Sequence, residues 1–566
     1  MKKIPYGISN FQTIREQNYL YIDKTKYIEI LENEPPYQFF IRPRKFGKSL
    51  FLSMLENYYD INKSHKFQEL FQNLYIGESP TEKRNSYLIF YINFSNLVVS
   101  NGKERFVESF DQCVLSAAKE FLNKYDKYLR KEDILGDSVG AEIVVNKIIA
   151  LTNNSNQKMF IIIDEYDNFA NDLISCGNKN LYYDVISSEG YVRTFYKTIK
   201  TGTAFCVDRI FITGVSPIML DDLTSGFNVT INLTLENNLN EMLGFNEDEV
   251  KNILKEFEIE KNFDLETVLK DMQQYYNGYL FSKNGENRVY NPNLTLYFIQ
   301  SIIKNKVYPE NILDLNIKTD YKKLENMAFN FKDEETVKQL ISEEIINTKL
   351  VEKFNLEYMY DKKENFISLL YYMGMLTIES TYFDKCIMKI PNYSVKTVYW
   401  EYFIEKIYEK MNVTLEDVQL LDSVHYMASK GEVSFLIDYL RKFISILSNR
   451  DLMQFNEKNV KMILISLFIN GIYLVNSEFE VEEGYVDIFL SANKAYDKYI
   501  NYEWIIELKY VKESDKNKIE DVKKQGVEQL KRYRSSSRLR NISHKEKKYL
   551  LIVVEGKKNV EYVEVY

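Results

Sequence analysis

The chain has 566 residues, 45% of them hydrophobic and 27% charged, a balance that excludes wholesale disorder and suggests about three or four domains. Its 9 prolines and 20 glycines exclude a collagenous or Pro-rich protein, and 73 Lys and Arg against 82 Asp and Glu (net −9) exclude a uniformly basic nucleic-acid coat but not a local basic groove. The 4 cysteines form no Cys-x-x-Cys pair and the 3 histidines sit in no motif, so zinc ribbons and Ser-His-Asp triads are unsupported and chemistry is expected from carboxylates, lysines, hydroxyls and a hard metal.

In chain order, Tyr37–Ile41 reads as an apolar strand and Gly47–Tyr59 has helical spacing. Leu88–Phe94 is a second strand. Met159–Ile163 and Arg209–Val215 are continuous apolar runs of the kind found in buried parallel strands. Asn246 followed by Glu249 predicts a capping box opening a helix at Glu247–Phe257. This alternation predicts an α/β region over residues 1–300, a parallel sheet flanked by helices. Residues 301–444 read as a mostly helical connector without a chemical motif. Residues 445–566 change character. The prediction is a helix at Asn456–Phe468, strands at Phe479–Val481 and Tyr485–Leu490 around a turn at Glu482–Gly484, and a third strand at Glu503–Tyr510. A basic helix at Lys516–Arg534 and a strand at Lys548–Val554 complete the order α-β-β-β-α-β.

Two motifs lie in the first region. Arg42-Pro43-Arg44-Lys45-Phe46-Gly47-Lys48-Ser49 follows a strand and opens a helix, where free N–H groups bind anions. Lys48 would reach the β- and γ-phosphates and Ser49 would hold Mg²⁺. Arg42 replaces the first glycine of the usual pattern. Phe160–Ile163 leads into Asp164 and Glu165 at a strand's carboxyl end, where doubly wound sheets bind ligands. Asp164 would hold the metal's water shell, and Glu165 would polarise the attacking water. Thr213, ending another strand, would sense the γ-phosphate.

With Ile4-Pro5-Tyr6-Gly7, Tyr21-Ile22-Asp23-Lys24-Thr25, Tyr276-Asn277-Gly278-Tyr279 and Val289-Tyr290-Asn291-Pro292 added, residues 1–290 resemble the AAA-ATPase-like family. The resemblance implies a P-loop ATPase core using ATP and Mg²⁺. It places Gly47, Lys48 and Ser49 at the phosphates and metal, and Asp164 and Glu165 as the Walker B pair. Arg42, Arg44 and Arg209 are candidates for an arginine finger, and Arg44 is counted with the nucleotide-binding set.

The last constellation is Asp487, then Glu507-Leu508-Lys509, then Gln529 on the basic helix. Asp487 and Glu507 on adjacent strands would make an oxygen-lined Mg²⁺ site, with Mn²⁺ as a substitute. Lys509, two residues from Glu507, shares its face. Gln529 would orient the site, and Glu457 is an extra acid. From Lys509 to Lys548 there are 14 Lys or Arg against 6 acids, a charge bias suited to a phosphate backbone. This part resembles the PD-(D/E)XK nuclease fold, a restriction-endonuclease-like α/β domain.

Together these features predict an ATPase whose nucleotide state gates a Mg²⁺-dependent nuclease acting on DNA, with defence against mobile elements as a setting. The alternative is a nucleotide-dependent signalling or nucleic-acid-binding switch without cleavage. A homo-oligomer is compatible with this reading. The N-terminus lacks a signal-peptide core, and the longest apolar stretch, Met462–Val475, is interrupted by polar residues. A cytoplasmic protein without a membrane segment is therefore expected.

Overall fold

The structure is a computed structural model. It describes residues 2–100, 102–129, 140–175, 179–186, 190–218, 227–314, 318, 334–354, 362–411, 418–449, 456–469, 471–556 and 559–566. The chain divides into two compact units. One comprises Met1–Ile303, Leu313–Leu340 and Glu344–Tyr393, and the other Lys304–Ile312, Ile341–Glu343 and Ser394–Tyr566.

The first unit is built on strands β1 (Tyr37–Ile41), β2 (Leu88–Asn93), β3 (Met159–Asp164), β4 (Val207–Gly214) and β5 (Ile231–Asn232). They form one sheet in the order β2-β3-β4-β1-β5. Every pairing is parallel, as continuous apolar strands require. All six residues of β3 are buried. The order carries the functional geometry, because β4 lies between the Gly-Lys-Ser strand β1 and the acidic strand β3. The helix after β1 runs Lys48–Tyr59, with Gly47 at its N-cap in the left-handed region (φ 94). Glycine takes that conformation without a Cβ clash. Phe51, Leu52, Met54, Leu55, Tyr58 and Tyr59 form its buried face.

The capping box at Asn246 is present: Glu249 N–H donates to Asn246 Oδ1 and Asn246 N–H donates to Glu249 Oε2, both at 2.9 Å. The helix it opens is Glu247–Glu256.

The middle of the chain contains helices and also a three-stranded antiparallel sheet that periodicity does not single out. Its strands are β6 (Ile345–Thr348), β7 (Thr377–Tyr382) and β8 (Lys385–Lys389), in the order β6-β8-β7. The helix Lys363–Tyr372 is buried from Asn365 to its end. Parts of residues 301–444 lie outside the described residues.

The second unit ends in a mixed sheet of β9 (Tyr473–Val481), β10 (Gly484–Ala492), β11 (Tyr502–Val511), β12 (Glu546–Glu555) and β13 (Asn559–Val565). Their spatial order is β13-β12-β11-β10-β9. β9–β10–β11 is an antiparallel meander, and β11 and β12 pair parallel through the crossover helix Ile519–Arg534. That helix starts three residues later than Lys516, because residues 513–518 form a 3₁₀ turn. Leu530 and Tyr533 pack from it onto Phe489, Ile505 and Leu551. Gly526 permits the close approach, since a Cβ there would lie 2.5 Å from Leu551 Cδ1. The preceding helix is Glu457–Leu467, with Asn456 as its N-cap. β13, absent from the expected order, pairs antiparallel along the outer edge of β12.

Cys113, Cys206 and Cys386 are free thiols, and Cys176 lies outside the described residues.

Candidate functional sites

The first site lies at the carboxyl ends of β1, β4 and β3. Asp164, the last residue of β3, is fully buried. Its Oδ2 accepts from Ser49 Oγ at 2.9 Å and from the Tyr91 hydroxyl at 3.2 Å, and its Oδ1 accepts from Glu165 N–H at 2.9 Å. Gly-Lys-Ser and Asp-Glu, far apart in sequence, therefore meet. Lys48 folds back onto its own loop and donates to the carbonyls of Arg42 at 2.9 Å and Pro43 at 3.0 Å. Burial lowers its pKa to about 8, against the opposing pull of Asp164. A half-buried ammonium parked on carbonyls of its own loop, at the cavity wall, suits an arriving phosphate.

Glu165 adopts φ 52, an uncommon conformation for a non-glycine residue that recurs at functional sites. Burial, and then the charge of Asp164, raise its carboxyl above the usual range. Thr213 sits on β4 opposite Phe40 of β1. Its hydroxyl is buried without a hydrogen-bond partner. Asp167 has a structural task. It accepts from the N–H groups of Val215 and Ser216 and from the Ser216 hydroxyl, tying the ends of β3 and β4 together. Gly214 leaves room for this clamp, since a Cβ would lie 2.2 Å from Asp167 Oδ1.

The three arginines part company. Arg42 is buried and donates to the carbonyls of Ile41 (2.9 Å), Thr234 (2.7 Å) and Leu239 (3.0 Å). Its guanidinium lies over the rings of Phe40 and Phe281. The residue replacing the first glycine is thus a brace that fixes the loop to the chain following β5. Arg209 is likewise buried and donates to the Leu31 carbonyl at 2.8 Å. Arg44 lines the cavity and reaches Asn168 Oδ1 at 3.3 Å.

Beside the loop opens a cavity of about 550 Å³, a volume typical of small-molecule sites. Arg44, Gly47, Lys48, Ser49 and Glu165 are in its lining. Its other walls include Pro5, Gly7, Ile8 and Ser9, then Leu20, Tyr21, Ile22 and Lys24, then Met242, Leu243, Gly244 and Phe245, and then Pro292, Asn293 and Leu296. Of the four extra motifs, the first two and the last therefore supply cavity wall. Lys24 is held by Glu249 at 2.7 Å, so the capping-box glutamate also fixes a lining residue. Gly278 of the remaining motif packs against the Pro391 carbonyl, which a Cβ would approach to 2.0 Å.

The second site lies on the β10–β11 pair. Asp487 Oδ2 accepts from Leu508 N–H at 2.9 Å, which holds the two acidic positions together across the strands. Lys509 Nζ donates to Glu507 Oε1 at 2.7 Å, as their shared face predicts. Glu457 Oε2 accepts from Tyr510 N–H at 3.3 Å, bringing the preceding helix to β11. Glu507 is 2% exposed. Burial, then the charge of Asp487, push its carboxyl up to about 7, against the opposing pull of Lys509. Gln529 hydrogen-bonds Tyr533, whose hydroxyl donates to the Tyr485 carbonyl at 2.7 Å.

Tyr533, Lys461 and Glu478 belong to this neighbourhood and were not singled out from the sequence. Tyr533 is four residues after Gln529, and that helical spacing was its signal. Two lysines of the helix are paired with acids, Lys523 with Glu520 and Glu561 and the exposed Lys531 with Glu528.

Among the described residues no group of three or more His, Cys, Asp or Glu is arranged to hold a metal. The fit of a divalent ion rests on Glu507 Oε2, a buried carboxylate oxygen with no hydrogen-bond partner. Mg²⁺ is commonly held by one or two carboxylates with water completing the shell, and Asp487 with Glu507 meets that need. Ser49 and Asp164 are the corresponding pair at the phosphate loop.

A five-stranded parallel sheet with a Gly-Lys-Ser loop and an acidic strand end defines a P-loop NTPase fold, here on one chain with an α/β domain of restriction-endonuclease type. Residues 5–224 match the family described as predicted AAA-ATPase, and residues 455–564 match the PD-(D/E)XK nuclease superfamily. The chain therefore carries one region similar to the AAA-ATPase-like family and one similar to the PD-(D/E)XK nuclease superfamily. A curated relative, an uncharacterized protein in the vnfD 5' region of Azotobacter chroococcum mcd 1, is 26% identical over 303 residues. That match takes in 51% of this chain and 50% of the relative, so the chain spans about half the length of the relative it matches. A Walker-type ATPase of Pyrococcus abyssi is 14% identical with a TM-score of 0.39, covering 70% of this chain and 98% of that one. Cdc6p from Pyrobaculum aerophilum is 11% identical with a TM-score of 0.27, covering 68% and 93%. Among the described residues no helix is long and apolar enough to cross a membrane.

Proposed function

We propose that the protein binds and hydrolyses ATP at the Gly47-Lys48-Ser49 loop, and that its nucleotide state gates a Mg²⁺-dependent nuclease centred on Asp487, Glu507 and Lys509, with DNA as substrate. The observation that carries the nuclease reading is Glu507 Oε2, which is buried and unpartnered beside Asp487. A buried carboxylate oxygen left without a donor is costly unless a cation takes it.

In the ATPase unit, Lys48 would move from the Arg42 and Pro43 carbonyls to the phosphates. Ser49 and Asp164 would hold Mg²⁺, which offsets the charge of the phosphates. Glu165 would orient the attacking water. Its raised carboxyl, in the cavity wall, suits a group that must accept a proton. Thr213 would meet the γ-phosphate from the strand between the two motifs. In the nuclease unit, Asp487 and Glu507 would hold Mg²⁺, which stabilises charge developing on the phosphodiester and activates water. Lys509 would position that water or the phosphate. Gln529, through Tyr533, would fix the helix side of the centre.

The test is cleavage of plasmid, single-stranded DNA and RNA with Mg²⁺ or Mn²⁺, with and without ATP. Wild type is compared with Glu507→Ala and Lys48→Ala. Cutting that disappears in Glu507→Ala supports the nuclease, and an ATP effect that disappears in Lys48→Ala supports the gating. Intact ATP hydrolysis with no cutting of any substrate sinks the nuclease and favours a nucleic-acid-binding switch.

A further inference from the structure

The helix Glu457–Leu467 brings a second lysine to the nuclease-like centre. Lys461 follows Glu457 by four residues, so the two side chains leave one helix face. Its Nζ lies 3.5 Å from Asp487 Oδ1 and is in contact with Glu478 Oε1. The Lys461 side chain is only 13% exposed. Glu478 stands across from Asp487, between the register pairs Val486–Phe479 and Ile488–Ser477. Its backbone is left-handed in mid-strand, at φ 52. Such strain persists where the surroundings over-determine it, and here they include a nearly buried ammonium.

The two carboxylates of the centre are thus in different states. Asp487 is engaged on both oxygens, by Leu508 N–H and by the Lys461 ammonium. Glu507 has one oxygen bound to Lys509 and the other without a partner. Two-ion centres place their cations roughly 3.5–4 Å apart around a shared clamp. Asp487 is the residue they would share, and its outer side already faces a cation. Charge points the same way. Glu457, Glu478, Asp487 and Glu507 are offset by Lys461 and Lys509, and a single divalent ion balances what is left.

We propose that Lys461 is a resident cation standing where a second metal ion would sit, so that this centre takes one divalent ion. The proposal rests on the metal-dependent reading given above. Lys461 is a positioning residue here, since it acts through Asp487 and Glu478.

The experiment is Mn²⁺ titration of the full-length, nucleotide-free protein, with free Mn²⁺ followed by electron paramagnetic resonance. Ions lost on Glu507→Ala are the ions of this centre. The expected result is one such ion in wild type, two in Lys461→Met and one in Lys461→Arg, which keeps the charge. The first ion should also bind about tenfold tighter in Lys461→Met, because a positive charge has left its neighbourhood. Lys461→Gln serves if the Met variant fails to fold. Two ions in wild type, or one ion at unchanged affinity in Lys461→Met, would overturn the proposal while leaving the metal-dependent reading intact. No ion lost on Glu507→Ala would sink that reading itself.

Discussion

The Ser49 hydroxyl donates to Asp164 Oδ2 at 2.9 Å, across a separation of 115 residues. The bond closes the first turn of the helix after the phosphate loop onto the carboxyl end of the acidic strand β3. Ser49→Ala removes this link and one oxygen from the expected metal site. ATP turnover should fall by roughly 10–100-fold. Because the serine is only partly buried, the unfolding midpoint should stay near that of wild type. A phosphate-release assay beside a urea melt separates the two effects.

Glu165→Gln keeps the shape and the left-handed backbone but removes the group that would take a proton. Nucleotide affinity should hold within a few-fold while turnover drops by about 100-fold or more. Equilibrium binding of a fluorescent ATP analogue, set against steady-state hydrolysis, checks the split. Equal loss of both would assign Glu165 to folding or binding.

Arg42→Gly restores the glycine common at this position of phosphate loops, and it should harm the protein. Three carbonyls lose their donor and the space between Phe40 and Phe281 empties. A loss of about 3 kcal/mol is expected in urea unfolding. Arg42→Lys should recover little of it, because a single ammonium nitrogen has neither the spread of two Nη atoms nor a flat face to lie over the rings.

Metal binding at the second site should depend on pH through Glu507. Its carboxyl is pushed up to about 7, and an ion binds only the charged form. Binding should therefore be strong above pH 7, weaken about tenfold for each pH unit below it, and release a proton. Mn²⁺ affinity measured from pH 5.5 to 8.5 in nucleotide-free protein gives the profile. A curve flat down to pH 5 would place the ion elsewhere.

What the sequence displayed follows from the range of each signal. β1, β3 and the Asn246 capping box depend on neighbours within a few residues, and all three were readable. The sequence also named Ser49 with Asp164, and Asp487 with Glu507 and Lys509, as sets that the fold brings together. The polar strand Thr377–Tyr382 has no apolar run, and its pairing with β8 is a property of the partner. β13 alternates apolar and charged residues, but its place follows from docking on the edge of β12. Lys461 and Glu478 are ordinary surface letters until the helix and β9 converge on Asp487. Arg42 is the sharpest case. It looks like a free cation in the phosphate loop, and burial among carbonyls and rings makes it a strut.

The cavity beside the loop has walls drawn from residues 5–9, 20–24, 242–245 and 292–296, so its lining gathers segments that lie far apart along the first 300 residues. A ligand filling it would act as a clasp on the N-terminal segment. Folding and ligand concentration are then linked by mass action. At a hundred times its dissociation constant, a nucleotide would add about 2.7 kcal/mol to the stability of the native state. The N-terminal loops that form the wall would show the slowest proteolysis when the ligand is abundant.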